Sequence, residues 1–143
     1  MKILLTIAFV MMVRIMEAQP PRIRDIKDLV GRWEATGDQD AGCGLEIVDS
    51  SNILLTFQGE KKKIVDYRID CSHSPCWFDF TIPDTAQVIY VKSLLEVVND
   101  SIIKWELFVD EDRPDHFSST KGEMFYLRKN PVVQTDGLSH TNQ

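Results

Sequence analysis

Hydrophobic and polar residues alternate with a period of two in short segments from Asp28 onward. In KKIVDYRIDC the odd positions of 65–71 are apolar and the even positions between them are polar. CWFDFTI repeats the pattern, with Cys76, Phe78, Phe80 and Ile82 on one face. This period is typical of β-strands that bury one face and expose the other, whereas a helix would show a period of 3.6.

Eight segments carry this alternation, and most of the connectors between them are as short as hairpin turns. DSSN, QGEK and SHSP are rich in residues that favour tight turns. Strands joined in this way run antiparallel, and eight of them close most simply into an up-and-down barrel without an exposed edge. RDIKDL is predicted to form a helical turn that caps one end. The predicted strands are 31–36, 44–48, 53–57, 62–71, 76–82, 87–98, 101–109 and 123–129.

The chain begins with an apolar run, residues 3–13, between Lys2 and Arg14. A span of the bilayer needs about 20 apolar residues, so residues 1–18 are predicted to be a secretory signal peptide that is cleaved after Ala18. The protein is therefore expected to be exported, to the periplasm or outside the cell, and to have no membrane attachment after cleavage. Residues 19–130 are predicted to form one domain, and the polar residues 131–143 a disordered tail.

Charge narrows the classes of partner. The whole chain has a net charge of −6, and removal of residues 1–18, which carry +1, leaves −7. This balance disfavours nucleic acids and anionic membranes as partners. We expect a soluble monomer.

Three cysteines, Cys43, Cys71 and Cys76, allow one disulfide and leave one thiol over. Their spacing lacks the paired CxxC of a structural zinc site. Cys71 and Cys76 flank the SHSP turn on the inward face, so they are predicted to be bridged across a hairpin. Pairing of Cys71 with Cys43, or a reduced pair, is the alternative.

DLVGRW contains the Gly-x-Trp that opens the first strand of lipocalin-like barrels, and FYLRK places Arg128 near the end of the chain. With LTFQGEK, YRIDCSHSPCWFDF and DEDRPDHFSS, these motifs resemble a family of bacterial lipocalin-like domains, abundant in planctomycetes, whose function is unassigned. The resemblance implies that Gly31 lets the strand bend, that Trp33 closes the barrel floor and that Arg128 lies over its ring. It supplies no catalytic residue. Two departures from the pattern are the Cys71 and Cys76 pair and LLEVV, which lacks an expected glycine and tyrosine.

The segment LFVDEDRPDHFSST, residues 107–120, concentrates acids and one histidine. It does not fit a helix-loop-helix calcium loop, because Pro114 and Asp115 occupy the fifth and sixth positions when Asp110 is the first. Zinc would need converging imidazoles or thiolates, and His116 is alone. We therefore predict no metal and a solvated loop that folds back over a barrel mouth.

A more specific form of this prediction is that the loop forms a lid over a cavity. Phe117 is then the gate, and Arg113 anchors the loop or meets an anionic group of a ligand. Tyr67 and Trp105, which have polar atoms on aromatic rings, are the other predicted ligand contacts.

The sequence contains no GxSxG, no HExxH and no glycine-rich phosphate loop. We predict a non-catalytic binding protein for a small, mostly apolar ligand, without a cofactor. The alternative is a barrel filled by its own aromatic side chains that acts as an interaction module, with Trp77 as an exposed anchor. An enzyme of unknown type is the third hypothesis.

Overall fold

The computed structural model describes residues 21–38, 42–118 and 120–131. The predicted signal peptide and all but the first residue of the predicted tail lie outside these ranges. A 3-10 helical turn, Ile26–Leu29, precedes the sheet and confirms the predicted helical turn. Asp25 is the N-cap of this turn, because its side chain accepts a hydrogen bond from the backbone N–H of Ile26. Ile26 and Leu29 are buried.

The described residues form nine strands: β1 Gly31–Ala35, β2 Gly44–Asp49, β3 Asn52–Phe57, β4 Glu60–Lys63, β5 Asp66–Asp70, β6 Cys76–Pro83, β7 Val88–Asn99, β8 Ile102–Val109 and β9 Glu123–Lys129. They belong to one antiparallel sheet, which curls into a half-barrel. The spatial order is β4-β3-β2-β1-β9-β8-β7-β6-β5, so every neighbouring pair except β1 and β9 is consecutive in the chain. The all-β antiparallel prediction is confirmed, with nine strands in place of eight.

The extra strand arises because the predicted strand 62–71 bends at Ile64 and Val65. The Ile64 N–H donates to the Ile53 carbonyl of β3, whereas the Val65 N–H donates to the Thr81 carbonyl of β6. The bend therefore transfers the chain from one end of the sheet to the other. It also turns Ile64 inward and leaves Val65 58% exposed, so the prediction that Val65 is buried is wrong.

β4 and β5 are the two end strands of the sheet, and no ladder joins them within the described ranges. Across this opening the Tyr67 hydroxyl of β5 donates to the Ser50 carbonyl in the β2–β3 turn, at 2.9 Å. Closure into a complete ring stays a prediction. We call the end of the half-barrel with the β3–β4 and β6–β7 turns the upper end, and the end with the 3-10 turn the lower end.

The core lies on the concave face of the sheet. Each strand alternates as predicted, so one set of side chains meets inside the curve and the other faces out. Phe78, Phe80 and Trp105 form an aromatic group there, with ring centroids 5.4 to 6.1 Å apart, and all three are at most 2% exposed. Such burial contributes roughly 1.5–3 kcal/mol for each large side chain.

Cys71 and Cys76 lie at disulfide distance, with their Cα atoms 4.3 Å apart, and both pack against the core. This favours the predicted pairing over the alternatives and indicates an oxidising environment. The β5–β6 connection between them carries a cis Ser74–Pro75 peptide bond. None of the helices in the described part of the chain is long and apolar enough to cross a membrane.

Candidate functional site

A cavity of about 710 Å³ opens at the upper end of the half-barrel. Small-molecule sites are typically concave, mostly apolar and roughly 300–1,000 Å³ in volume. The alternation that builds the core also builds this cavity, because its walls continue the concave face beyond the aromatic group. The apolar wall residues are Leu55 and Phe57 of β3, Phe80 and Ile82 of β6, Ile89 and Val91 of β7, and Leu107 and Val109 of β8.

Charged side chains surround the mouth of this cavity. β4 contributes Glu60 and Lys62, the β8–β9 connection contributes Glu111 and Lys121, and β9 begins with Glu123. Lys62 projects inward because it pairs with Leu55 across the β3–β4 ladder, and directly opposite residues share a face. The site therefore combines an apolar interior with a polar rim.

The predicted ligand contact Trp105 lies below this cavity as part of its floor region. It is 2% exposed, and its indole N–H donates to the Ser93 hydroxyl at 2.9 Å. Its polar atom thus has a protein partner, and its ring packs on Phe80, which does line the cavity. Trp105 supports the site from below, and direct contact with a ligand stays a prediction.

Tyr67 is half-buried on β5, and its ring meets the edge of Phe78 at 6.1 Å between centroids. Its hydroxyl is bound to Ser50, and burial raises the pKa of this phenol, with smaller contributions from Asp25 and Asp49. Tyr67 is not among the residues that line the upper cavity. It therefore links the two ends of the sheet, and its predicted role as a ligand contact stays untested.

Arg113 lies on the convex face of the sheet, within the outer loop, as we name residues 110–122 between β8 and β9. Its guanidinium forms an ion pair with Asp79 of β6, and the two side chains are only 10% and 16% exposed. The guanidinium carbon also lies 4.0 Å from the ring centroid of Trp77. Of the two predicted roles for Arg113, the structure shows the anchor of the loop.

Trp77 faces outward, as the alternation predicts, but other side chains cover its ring. The His73 imidazole stacks on it, with centroids 3.6 Å apart and an angle of 5° between the planes. Because two groups this close to the ring centre cannot share a face, His73 and Arg113 lie on opposite faces of the indole. Trp77 is therefore only half-exposed and holds the outer loop.

The rest of the outer loop also packs on the convex face. Lys104 of β8 lies 4.2 Å from the ring centroid of Phe117, and the Ser118 N–H donates to Glu106 at 2.8 Å. Leu94, Glu106 and Phe108, which point outward, are buried as a result. The prediction that Phe117 covers the mouth is wrong, because Phe117 lies outside the sheet. Of the described residues of the outer loop, Glu111 and 120–122 line the cavity.

The lower end has the tryptophan expected from the resemblance, with a different cation. Trp33 is 3% exposed, and its indole N–H donates to the Leu29 carbonyl at 2.8 Å. The amine over its ring is that of Lys129, at 5.2 Å, and not the guanidinium of Arg128. In the β1–β9 register Trp33 pairs with Lys129, whereas Arg128 pairs with Glu34 and is exposed.

Gly31 has a backbone that suits only glycine. Its φ is +138°, and a Cβ added there would lie 2.7 Å from the Cε atom of Lys129. The absence of a side chain thus lets the lysine stem reach across to Trp33. This agrees with a structural role for Gly31.

Sequence reasoning missed three functional positions: Lys62 on the rim, and Asp79 and Glu106, which hold the outer loop. The alternation assigned Asp79 and Glu106 to the outward face, but it carries no signal for which outward acids become buried. Glu106 is fully buried, and none of the described residues donates a hydrogen bond to its Oε1 atom. Among the described residues, no group of three or more His, Cys, Asp or Glu side chains is placed to hold a metal ion.

Comparison of the chain with protein-family models, with curated proteins and with solved structures found no match in any of the three. The lipocalin-like resemblance therefore stands on the motifs themselves.

Proposed function

We propose that the protein is an exported, non-catalytic binding protein of lipocalin-like type that holds a small, mostly apolar molecule in the upper cavity. The observation that carries this proposal is the cavity of about 710 Å³, with eight apolar side chains in its walls and charged side chains at its mouth. Apolar surface drives binding, and the rim orients the ligand. Export is supported by the apolar run of residues 3–13 and by the Cys71–Cys76 pair.

The outer loop supports the same proposal. Its middle is anchored to the convex face through Arg113 and Asp79, and its ends line the mouth of the cavity. A loop held in this way keeps the mouth open and its charges in place, so less ordering is needed when a ligand enters. Arg113 and Phe117 would then act on binding through the loop and not by contact.

Binding of N-phenyl-1-naphthylamine, a neutral apolar dye that fluoresces when buried, tests the proposal. The variant Ile89→Trp adds bulk inside the cavity at a half-buried position, and Val98→Trp places the same side chain on the exposed side of the same strand. We expect the wild-type protein and Val98→Trp to bind the dye, and Ile89→Trp to bind at least about tenfold more weakly. Equal binding by all three proteins, or no binding by any, would contradict the proposal.

Native mass spectrometry of the purified mature protein extends this test. A bound mass that is lost in Ile89→Trp and kept in Val98→Trp is the expected result. It would also report the oligomeric state, for which we propose a monomer.

The alternative function, an interaction module, would use a different surface of the protein, on the convex face of the sheet. A groove of about 520 Å³ on the convex face lies between β7 and the start of the outer loop, beside the exposed Val88 and Tyr90. Its walls are mostly polar, and Trp77 is covered by His73 and Arg113. Loss of binding to a protein partner in the variant Tyr90→Ala, with dye binding unchanged, would favour this alternative.

A further inference from the structure

The charges at the mouth of the upper cavity are not balanced. Among the described residues, Lys62 and Lys121 are the cations that line this cavity, and the Lys62 amine is already shared between two acids. Nζ lies 3.4 Å from an oxygen of Asp84 and 4.0 Å from an oxygen of Glu60. Its positive charge is therefore offset before any ligand arrives.

The other rim charges sum to a net negative value. Glu111 and Glu123 line the cavity with one further cation, Lys121, and no ion pair between these three is found in the described part of the chain. Glu123 pairs with Leu107 across β8 and β9, so its side chain starts on the concave face. Its carboxylate is thus directed to the ligand side of the sheet.

The surrounding connectors strengthen this negative field. Asp38 and Asp110 also lie in the loops of the upper end. Asp84 and Asp112, at the same end, already form ion pairs with Lys62 and Lys92, and Arg113 is paired with Asp79 on the convex face. Lys92 is also turned outward, toward Asp112 at 3.1 Å. A cleft with low-dielectric walls concentrates such a field at its mouth, and it attracts charges of the opposite sign.

We propose that the ligand of the upper cavity is an apolar molecule with a positively charged nitrogen at its exposed end, an amine or a quaternary ammonium. This inference rests on the proposed function. The apolar part fills the space between Phe57, Ile82 and Leu107, and the cation remains at the mouth near Glu111 and Glu123. A carboxylate or sulfate at the same end would meet the Glu111 and Glu123 carboxylates, which outnumber the one further cation, Lys121, so anionic amphiphiles are disfavoured.

Three probes with the same ten-carbon chain separate these classes: decyltrimethylammonium, decanol and decanoate. Each probe is titrated into the wild-type protein with bound N-phenyl-1-naphthylamine in low-salt buffer, and displacement of the dye is measured. We expect decyltrimethylammonium to compete about tenfold more strongly than decanoate, with decanol between them. The difference should shrink as salt is added, because the rim charges are exposed and are screened.

The double variant Glu111→Gln and Glu123→Gln assigns the preference to the rim. This variant should bind decyltrimethylammonium more weakly and decanoate more strongly than the wild-type protein does. The preference for the cation over decanoate should fall to about twofold or less, while the binding of decanol is unchanged. The matched control, Glu96→Gln with Asp100→Asn, removes the same charge at the lower end of β7 and should keep the wild-type preference.

The outcomes distinguish the two proposals. If decanol displaces the dye and decanoate competes as well as the cation, the inference about charge is wrong and the binding function stands. If the control variant loses the preference as fully as the rim variant, the inference is also wrong. If none of the three probes displaces the dye, both the inference and the proposed function are wrong.

Discussion

Replacement of Arg113 by methionine is the sharpest test of how the outer loop is held. Methionine keeps an unbranched stem, so the substitution removes mainly the ion pair with Asp79 and the contact with Trp77. Loss of one partner from a buried ion pair costs about 3–5 kcal/mol, and a cation-π contact adds about 0.5–2 kcal/mol. Both Arg113 and Asp79 are at least four-fifths buried, so solvent screens this pair little.

The magnitude depends on what Asp79 keeps after the substitution. Its oxygens still accept hydrogen bonds from the Tyr90 hydroxyl at 3.2 Å and from the Ser93 N–H at 3.3 Å. The carboxylate is therefore not left without donors, and we expect the lower part of the range. The free energy of unfolding should fall by about 3 kcal/mol, which a domain of typical stability survives.

Denaturant unfolding followed by tryptophan fluorescence measures this loss. A double-mutant cycle with Asp79→Asn should give a coupling energy of about 2 kcal/mol between the two side chains. The control Arg68→Met removes an arginine that is 82% exposed and 3.9 Å from Asp70, and it should change stability by less than about 0.5 kcal/mol.

Loops generally open at a lower free energy than the sheet on which they pack, so limited proteolysis supplies a second readout. Arg113→Met should speed cleavage within the outer loop relative to wild type and Arg68→Met. A loss of stability below about 1 kcal/mol together with unchanged cleavage would refute the argument that Arg113 anchors the loop.

Three further predictions concern the lower end and the turns. Trp33→Phe leaves the Leu29 carbonyl without its indole donor and should cost about 1–3 kcal/mol in denaturant unfolding, and an unchanged midpoint would contradict a closing role for this residue. Cys71→Ser with Cys76→Ser should lower the free energy of unfolding by about 2 kcal/mol, because a disulfide that closes a short loop reduces the conformational entropy of the unfolded chain. Reductant should lower the stability of the wild-type protein and have no effect on this variant. Hydrogen bonds, first from the Ser72 hydroxyl and then from its backbone N–H, lower the pKa of Asp70 below 3.8. A carboxyl group whose folded pKa is depressed stabilises the fold above the unfolded pKa and loses this contribution as pH falls, so Asp70→Asn should flatten the decline of stability between about pH 5 and pH 2.

The sequence predicted most strands to within one or two residues, because alternation and turn residues are local signals. Residues 123–129 were predicted as the last strand and form β9 without change. The bend at Ile64 was missed because it depends on hydrogen bonds to Ile53 and Thr81, which are far away in the chain. The alternation before and after a bend does not show that the inward positions change from even to odd numbers at the bend.

The lower end shows how one step of register changes a side-chain assignment. The resemblance predicted Arg128 over Trp33, but neighbouring residues of a strand face opposite sides, so a slip of one residue replaces an inward cation by an outward one. The structure places Lys129 inward instead. A basic residue over Trp33 was therefore predictable, but its position in the chain could be assigned only from the pairing of β1 with β9.

The outer loop was the least predictable part of the site. Its composition indicated a solvated loop, and Asp110 to Asp112 are indeed exposed. The anchoring of Arg113 on β6 could not be inferred, because a loop of this length reaches either the mouth or the convex face. Which of these it packs on depends on Trp77 and Asp79, which lie more than thirty residues earlier in the chain.

Nuclear magnetic resonance with an isotope-labelled mature protein tests the central claim most directly, because addition of decanol reports the binding position residue by residue. The account predicts chemical-shift changes in the backbone amides of 55–57, 80–82, 89–91 and 107–109, which surround the upper cavity. The backbone amides of Trp77 and Phe117, which lie on the convex face, should be unaffected. Changes confined to the convex face, or none at saturating decanol, would contradict it.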